Sequence, residues 1–320
     1  MDKKSIIEFG KEVIKLQSES INSISKYIDE NFDKAIQIIL KSTGRVVVTG
    51  IGKSAIIANK IVATLNSTGT PSIFMHAADA IHGDLGIIKS DDVIICISKS
   101  GNTPEIKALL PMLKGMGNDL VAITGDINSY LAKQSDFILN TSVEKEACPN
   151  NLAPTSSTTA QLVMGDALAV CLLECRNFSD TDFARFHPGG TLGKRLFLKV
   201  SDLCAQNDSP KVDLDSDIKS VIVEISQKRL GSTAVMKNDV LQGIITDGDI
   251  RRMLESGNDI MRLQAKDIMC KTPKKIQADE LAAAALKIME EHNITQLLVM
   301  QGVRYIGIIH LHDILKEGII

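Results

Sequence analysis

The chain has 320 residues, 44% apolar and 23% charged, with a formal net charge of −3. That length and balance suit about two globular domains. The acidic excess argues against a nucleic-acid binder, which carries a basic face, and 3% aromatics with no Trp offer no platform for stacking bases.

The opening MDKKSIIEFGKEV interleaves charges with apolar residues and lacks the apolar core of a signal peptide. No uninterrupted apolar stretch approaches the ~20 residues that cross a bilayer, so no membrane partner is expected. Cysteines 96, 148, 171, 175, 204 and 270 form no Cys-x-x-Cys pair and read as reduced thiols of a cytoplasmic protein.

Residues 5–41 carry Ile, Val and Leu at helical spacing and predict two amphipathic helices broken near 29–33. Strands and helices then alternate. Strands are expected at 45–49, 72–76, 93–97, 120–124 and 137–140, with helices at 54–67, 103–115, 128–134 and 158–174. Near-continuous Val/Ile runs indicate a parallel sheet covered on both faces.

The first strand runs into GIGKS, residues 50–54. A P-loop needs a glycine where Val47 stands, and the next strand ends in Phe74, Met75 and His76 rather than the acid of a dinucleotide site. What remains is a tight turn that presents Lys53 and Ser54 at a helix start. The third strand runs into SKSGNTPE, with Thr103 at the expected N-cap, Pro104 at the first helical position and Glu105 in the first turn. Both turns fall at carboxyl ends of parallel strands, where open α/β sheets bind ligands. Ser98, Ser100 and Thr103 in one turn, backbone N–H groups and a helix start together suit a phosphate monoester. Elsewhere, His82 and His187 sit in glycine-bearing loops and Glu146 in a charged run; each taken alone reads as a surface group.

The remainder repeats itself. LQGIITDGDIRRML (241–254) aligns with YIGIIHLHDILKEG (305–318), and KVSDLC (199–204) with AKDIMC (265–270). Two units of about sixty residues share one plan of short lead, helix, strand, strand and helix, with the boundary to the first domain near 195–205.

VVVTGIGKSAIIANKIVATLNSTGTPSIFMHAADAIHGDLG, ISKSGNTPEI, KEACPNNLAPTSSTTAQLVMGDALAV and FHPGGTLGKRL together resemble the arabinose-5-phosphate isomerases, which join a sugar isomerase (SIS) domain to a tandem of CBS modules. The resemblance covers about residue 35 to the end. It implies an α/β fold: a SIS-type doubly wound parallel sheet domain over 1–198, then a tandem pair of small α+β CBS modules over 199–261 and 262–320. It further implies interconversion of ribulose 5-phosphate and arabinose 5-phosphate through a cis-enediol, feeding 3-deoxy-D-manno-octulosonate synthesis for lipopolysaccharide or capsule. No cofactor is required by that chemistry.

Carried over to this chain, the family's sensitive positions are Lys53, Glu105, Glu146 and His187. Glu146 is read as the carbon base, His187 as the group for ring opening or oxygen proton transfer, and Lys53 as the stabiliser of oxyanion or phosphate. Glu105 orients Lys53 or His187, and the two glutamates can exchange roles. Ser54, Ser98, Ser100, Thr103, Ser156 and Thr158 are expected to hold the phosphate. Gly69, Thr70, His76 and His82 match substrate-associated positions, with His76 also implied for an inhibitory zinc. In the CBS pair, Thr246, Asp249 and Asp313 match ligand-holding positions for a nucleotide or nucleotide sugar, but His310 stands where the second repeat would have its Thr. The family resemblance also implies a homotetramer. Rival expectations are a sugar-phosphate sensor without catalysis and an isomerase of a different sugar phosphate.

Overall fold

The computed structural model describes residues 3–257 and 259–319; residues 1, 2, 258 and 320, which the expected domains include, lie outside them. Two compact units divide the chain, Met1–Phe183 and Ala184–Ile320.

The first unit opens with α1 (Lys3–Ile24) and α2 (Glu30–Lys41). Asp29 starts α2 by accepting from the N–H groups of Asn31 (2.8 Å) and Phe32 (3.4 Å), and one face of the helix buries Phe32, Ala35, Ile36 and Ile39. There follow β1 (Val46–Gly50), α3 (Lys53–Ser67), β2 (Ser72–His76), α4 (Ala77–Ala80), β3 (Val93–Ser98) and α5 (Pro104–Met116). After these come β4 (Leu120–Thr124), α6 (Tyr130–Gln134), β5 (Phe137–Asn140), α7 (Ser156–Cys175) and α8 (Asp180–Phe186), in which the division between units falls.

The five strands are parallel in the order β2-β1-β3-β4-β5. Alternate residues of each run feed opposite cores. Val46, Val48, Ile95 and Ile97 pack with Ile61 and Leu65 of α3 and Leu168 and Leu172 of α7. Val47, Ile94 and Cys96 pack with Ile106, Leu109 and Leu110 of α5 and with Leu131. A strand buried on both faces has no place for polar alternation, hence the continuous Val/Ile runs. The β2-β1-β3-β4-β5 order reverses direction between β1 and β3, and such a switch point opens a crevice at the carboxyl ends of those two strands.

By length and composition α7 could cross a membrane. It is instead a helix of this core, burying Ala160, Met164, Leu168, Ala169 and Leu172. It lies close against α3, where a methyl on Gly165 would overlap the end of the fully buried Ile61.

The second unit holds α9 (Thr191–Phe197), α10 (Val200–Cys204), β6 (Lys211–Asp213), α11 (Ile218–Lys228), β7 (Ser232–Lys237), β8 (Val240–Thr246) and α12 (Asp247–Glu255). It continues with α13 (Ala265–Ile268), β9 (Lys275–Gln277), α14 (Ala282–His292), β10 (Gln296–Gln301), β11 (Arg304–His310) and α15 (Leu311–Lys316). Two three-stranded sheets, β6-β7-β8 and β11-β10-β9, repeat one design, with a bulge at matching places after Val235 and Val299.

Two features differ from the sequence reading. Residues 191–198 belong with the second unit: Leu198 O accepts from Ala282 N at 2.8 Å, and Lys194 pairs with Glu317 at 2.8 Å. The two repeats also exchange their leads. Val200, Leu203 and Cys204 pack in the core of the second repeat with Ala282, Leu297 and Ile309, while Ala265 and Ile268 pack with Val221, Val235 and Ile245 of the first. Linear boundaries at 199 and 262 therefore cut across both cores.

The α3–α7 contact sets the first prediction. Gly165→Ala gains roughly 0.5–1 kcal/mol of helix preference but overpacks Ile61, which costs about 1–3 kcal/mol. Denaturant unfolding should show a net loss, partly recovered when Ile61→Val is added; additive effects would refute the contact as the cause.

Candidate active site

At the β1/β3 switch point lies a cleft of about 330 Å³. Ile51, Lys53 and Ser54 come from the turn after β1; Ser98, Lys99, Ser100 and Thr103 come from the turn after β3. Pro154, Ser157, Thr158 and Gln161 come from the start of α7. Three long helices, α3, α5 and α7, begin at or beside it. The positive ends of their helix dipoles favour an anion, and at α7 the buried Glu146 already takes the N–H groups of Thr155 and Ser157.

Local conformation aims these turns. Gly52 precedes α3 with φ +59°, a left-handed setting that admits the sharp reversal out of β1. Ser54 donates to Gln161 Oε1 at 3.2 Å, tying the start of α3 to the buried Gln161 on α7. In the second turn Gly101 N donates to the buried Ser98 Oγ (3.1 Å), and Gly101 O accepts from Leu131 N (3.0 Å). Gly101 also has φ +59°, and a methyl there would overlap Ser129. Asn102 Oδ1 accepts from Tyr130 N at 3.0 Å, so α6 clamps the loop from behind. Thr103 occupies the N-cap position by backbone, yet its hydroxyl makes no capping bond; it is buried without a partner among the described groups. The expected N-cap position holds, and without a capping bond the hydroxyl is left in the wall of the cleft.

Behind the wall sits Glu146. Its side chain is fully buried, and Lys99 Nζ reaches Oε1 at 2.6 Å from a side chain that is itself 47% exposed. Ser157 Oγ donates to Oε1 at 2.5 Å, while Oε2 accepts from Thr155 N (2.8 Å), Thr155 Oγ1 (3.1 Å) and Ser157 N (3.2 Å). Burial alone would push the carboxyl up. The Lys99 ammonium, the Ser157 hydroxyl and the two α7-start N–H groups outweigh it and hold the pKa at about 2.

The expected site residues fall into groups. Lys53, Ser54, Ser98, Ser100, Thr103 and Thr158 line the cleft. Ser156 is fully buried, its hydroxyl without a partner among the described residues, and its neighbour Ser157 lines the cleft in its place. Glu105 is half-buried in the first turn of α5, beside the cleft but outside its lining. His76 ends β2 in register with Gly50, and its Nδ1 lies 3.6 Å from Asp79; His82 is exposed in the turn after α4. Among the described residues no three His, Cys, Asp or Glu side chains gather into a metal-binding group.

Gly69 and Thr70 are not brought to the cleft. They precede β2 at the amino edge of the sheet, where Gly69 packs against Phe178 and Thr70 Oγ1 accepts from Arg176. His187 lies in the second unit, where its N–H closes a turn onto Ala184 O at 3.1 Å.

In the CBS pair, Thr246 and Asp249 form a reciprocal cap of α12, with Thr246 Oγ1 on Asp249 Oδ2 at 2.6 Å and Arg252 on Oδ1 at 2.6 Å. Asp313 caps α15 and accepts from Asn207 Nδ2 at 2.7 Å.

The sequence reading missed Lys99, Thr155, Ser157 and Gln161. Lys99 stands between two singled-out serines, and Thr155 and Ser157 open the apolar helix after a proline; both placements were signals of a sort.

Comparison with known proteins places a SIS domain at residues 39–171 and CBS domains at 200–256 and 265–319. The chain is 47% identical over 310 residues to arabinose 5-phosphate isomerase KdsD of Francisella tularensis, covering 95% of each chain. It is 46% identical to the KdsD of Pseudomonas aeruginosa, covering 98% of this chain and 97% of the relative. Among solved structures, an E. coli CFT073 protein in complex with arabinose 5-phosphate is 41% identical, with a TM-score of 0.57, and matches 59% of this chain and 100% of its own.

The depressed carboxyl makes a pH prediction. A group held at about 2 rather than 4.5 stabilises the fold fully above the higher value and loses that contribution as pH falls toward the lower. The contribution is roughly 3 kcal/mol. Unfolding followed between pH 7 and 2 should show Glu146→Gln less stable at neutral pH and flatter across the window below 4.5. Parallel curves for the two proteins would refute the assignment.

Proposed function

The chain belongs to the arabinose 5-phosphate isomerase family of SIS proteins with paired CBS domains, and on that premise we propose that it is an aldose–ketose isomerase interconverting D-ribulose 5-phosphate and D-arabinose 5-phosphate. The observation that carries the reading is the cleft itself. Ser54, Ser98, Ser100, Thr103 and Lys53 line it together beside helix starts at a topological switch point. That is the chemistry of a site for a phosphate monoester, and the phosphate anchors the sugar so that binding energy orients the reacting carbons.

The reaction moves protons only. A base takes one from C1 of the ketose and returns one to C2 of the enediol, while a hydroxyl proton passes from O1 to O2. No electron leaves the substrate, so the scheme calls on no redox cofactor. Of the two glutamates left open by sequence, Glu146 has both oxygens engaged and a pKa near 2, which makes it a feeble base. Those engagements support giving the carbon proton to Glu105, in the first turn of α5. Lys53 stabilises the enediolate oxygen. His187 enters the scheme through the family motif alone, for ring opening and oxygen proton transfer.

The product feeds octulosonate synthesis, and the reaction takes place in the cytoplasm. Exposed Ile6, Ile7, Phe9 and Ile14 on α1 support assembly, here a homotetramer. A nucleotide or nucleotide sugar is assigned to the first CBS repeat, where a cleft of about 400 Å³ between α11 and α12 is bordered by Ser226, Arg229 and Asp247.

Incubation of the protein with ribulose 5-phosphate in D2O should yield arabinose 5-phosphate deuterated at C2, with ribose 5-phosphate and sedoheptulose 7-phosphate left unconverted. Absence of that product defeats the reading, and conversion of another sugar phosphate redirects its specificity. Glu105→Gln should lower kcat by about 10²–10⁴ with KM little changed. For the CBS pair, a nucleotide at 100 times its Kd should add about 2.7 kcal/mol of stability, seen as a thermal shift. No shift with any nucleotide or nucleotide sugar would remove that ligand.

A further inference from the structure

Lys99 is a lysine with an unusual partner. A solvent-facing lysine normally holds no fixed place, because pinning its long side chain costs about as much as an exposed ion pair returns. Here the ammonium is set 2.6 Å from a carboxylate whose side chain is fully buried. That carboxylate fixes where the ammonium stands. Glu146 Oε2 accepts from Thr155 N, Thr155 Oγ1 and Ser157 N, while Oε1 accepts from Ser157 Oγ and from Lys99, which completes its pair of donors. The loop bearing it is pinned as well, since Asn151 Oδ1 accepts from Glu146 N at 2.7 Å. The pair therefore serves both partners: it completes the donors of the buried carboxylate and gives a half-exposed lysine a fixed place.

An ammonium has three N–H donors, and Glu146 takes one. Lys99 lines the cleft between Ser98 and Ser100, with Lys53 in the wall contributed by the other turn. A phosphate monoester brings a charge of roughly −1.5 to −2, more than one cation and neutral hydroxyls offset in a partly closed site. We propose that Lys99 is the second cation of the phosphate subsite and that Glu146 is its positioning residue, holding the ammonium toward the cleft rather than carrying a proton. The proposal rests on reading the cleft as a sugar-phosphate site and adds the residues that grip the anion.

Binding of inorganic phosphate to the full chain, by calorimetric titration, tests it together with steady-state KM for ribulose 5-phosphate. Lys99→Met should weaken phosphate binding and raise KM about tenfold, with kcat changed far less; Lys99→Arg should recover most of the loss. Glu146→Gln should weaken phosphate binding in the same direction, and Lys99→Met/Glu146→Gln should be no worse than Lys99→Met, since one residue acts through the other. Should Glu146→Gln fail to fold, the Lys99 variants decide, because they alter only the exposed partner. Phosphate affinity and KM unchanged in Lys99→Met overturn the proposal while wild-type turnover leaves the isomerase standing. If the wild type turns over no sugar phosphate, the isomerase reading falls, and the phosphate titration still decides Lys99.

Discussion

A charged carboxylate removed from water must find a donor for each of its lone pairs, or the loop that bears it returns to solvent. Glu146 meets that demand with groups from the first residues of α7 and from the turn after β3, residues separated from it by up to 47 positions. One buried charge thereby fixes the position of three chain segments relative to each other. The loop from β5 to α7, which has no helix or strand of its own, is brought against the cleft by that same need. A neutral side chain in this place could fill the volume but would not specify where Thr155, Ser157 and Lys99 must stand.

The sheet supplies the rest of the frame. Parallel strands end on one edge, so the turns after β1 and β3 project to the same side, and the reversal of strand order between them keeps their helices from closing over each other. Two left-handed glycines, Gly52 and Gly101, complete the turns at positions where a side chain would be strained, and at Gly101 would also meet Ser129. The hydroxyls then have divided duties. Ser98 and Ser100 use their oxygens to accept from the loop's own N–H groups, so each still has a proton to donate toward the cleft. Thr103 keeps its hydroxyl wholly uncommitted.

Much of this was legible from local pattern. Strands at 72–76, 120–124 and 137–140 coincide with β2, β4 and β5, because a strand covered on both faces writes itself as an apolar run with polar ends. The two ligand turns were legible for a similar reason, since glycine, hydroxyls and a helix start at a strand's end have few other uses. What escaped is long-range. Nothing near Glu146 names Lys99 as its partner, and the charged run around it looks like any solvated loop. Gly69 and Thr70 lie close to the cleft-bearing turns in sequence, yet α3 carries the chain back across the sheet and leaves them on the opposite edge, before β2. The exchange of lead segments between the repeats was hidden as well, since α10 and α13 are short amphipathic pieces that fit either core.

The two repeats also show how like motifs part company. Thr246 and Asp249 close α12, and His310 and Asp313 close α15, by the same reciprocal bond between N-cap and third residue. A histidine can replace the threonine because its Nδ1 also accepts a backbone N–H, here from His312 at 3.1 Å. The substitution preserves the helix start and changes its electrostatics. Burial first, and then the neighbouring His312 stacked at 4.9 Å, lower the His310 pKa. Asp313 is meanwhile committed to Asn207 from the exchanged lead. The second motif thus spends its polar groups on joining the modules, whereas the first borders an open cleft with Arg229 at its rim. The two like helix starts thus differ in their partners: the lead exchange gives Asp313 the amide of Asn207, while Asp249 is held by Thr246 and Arg252 of its own helix and leaves Asp247 to border the cleft.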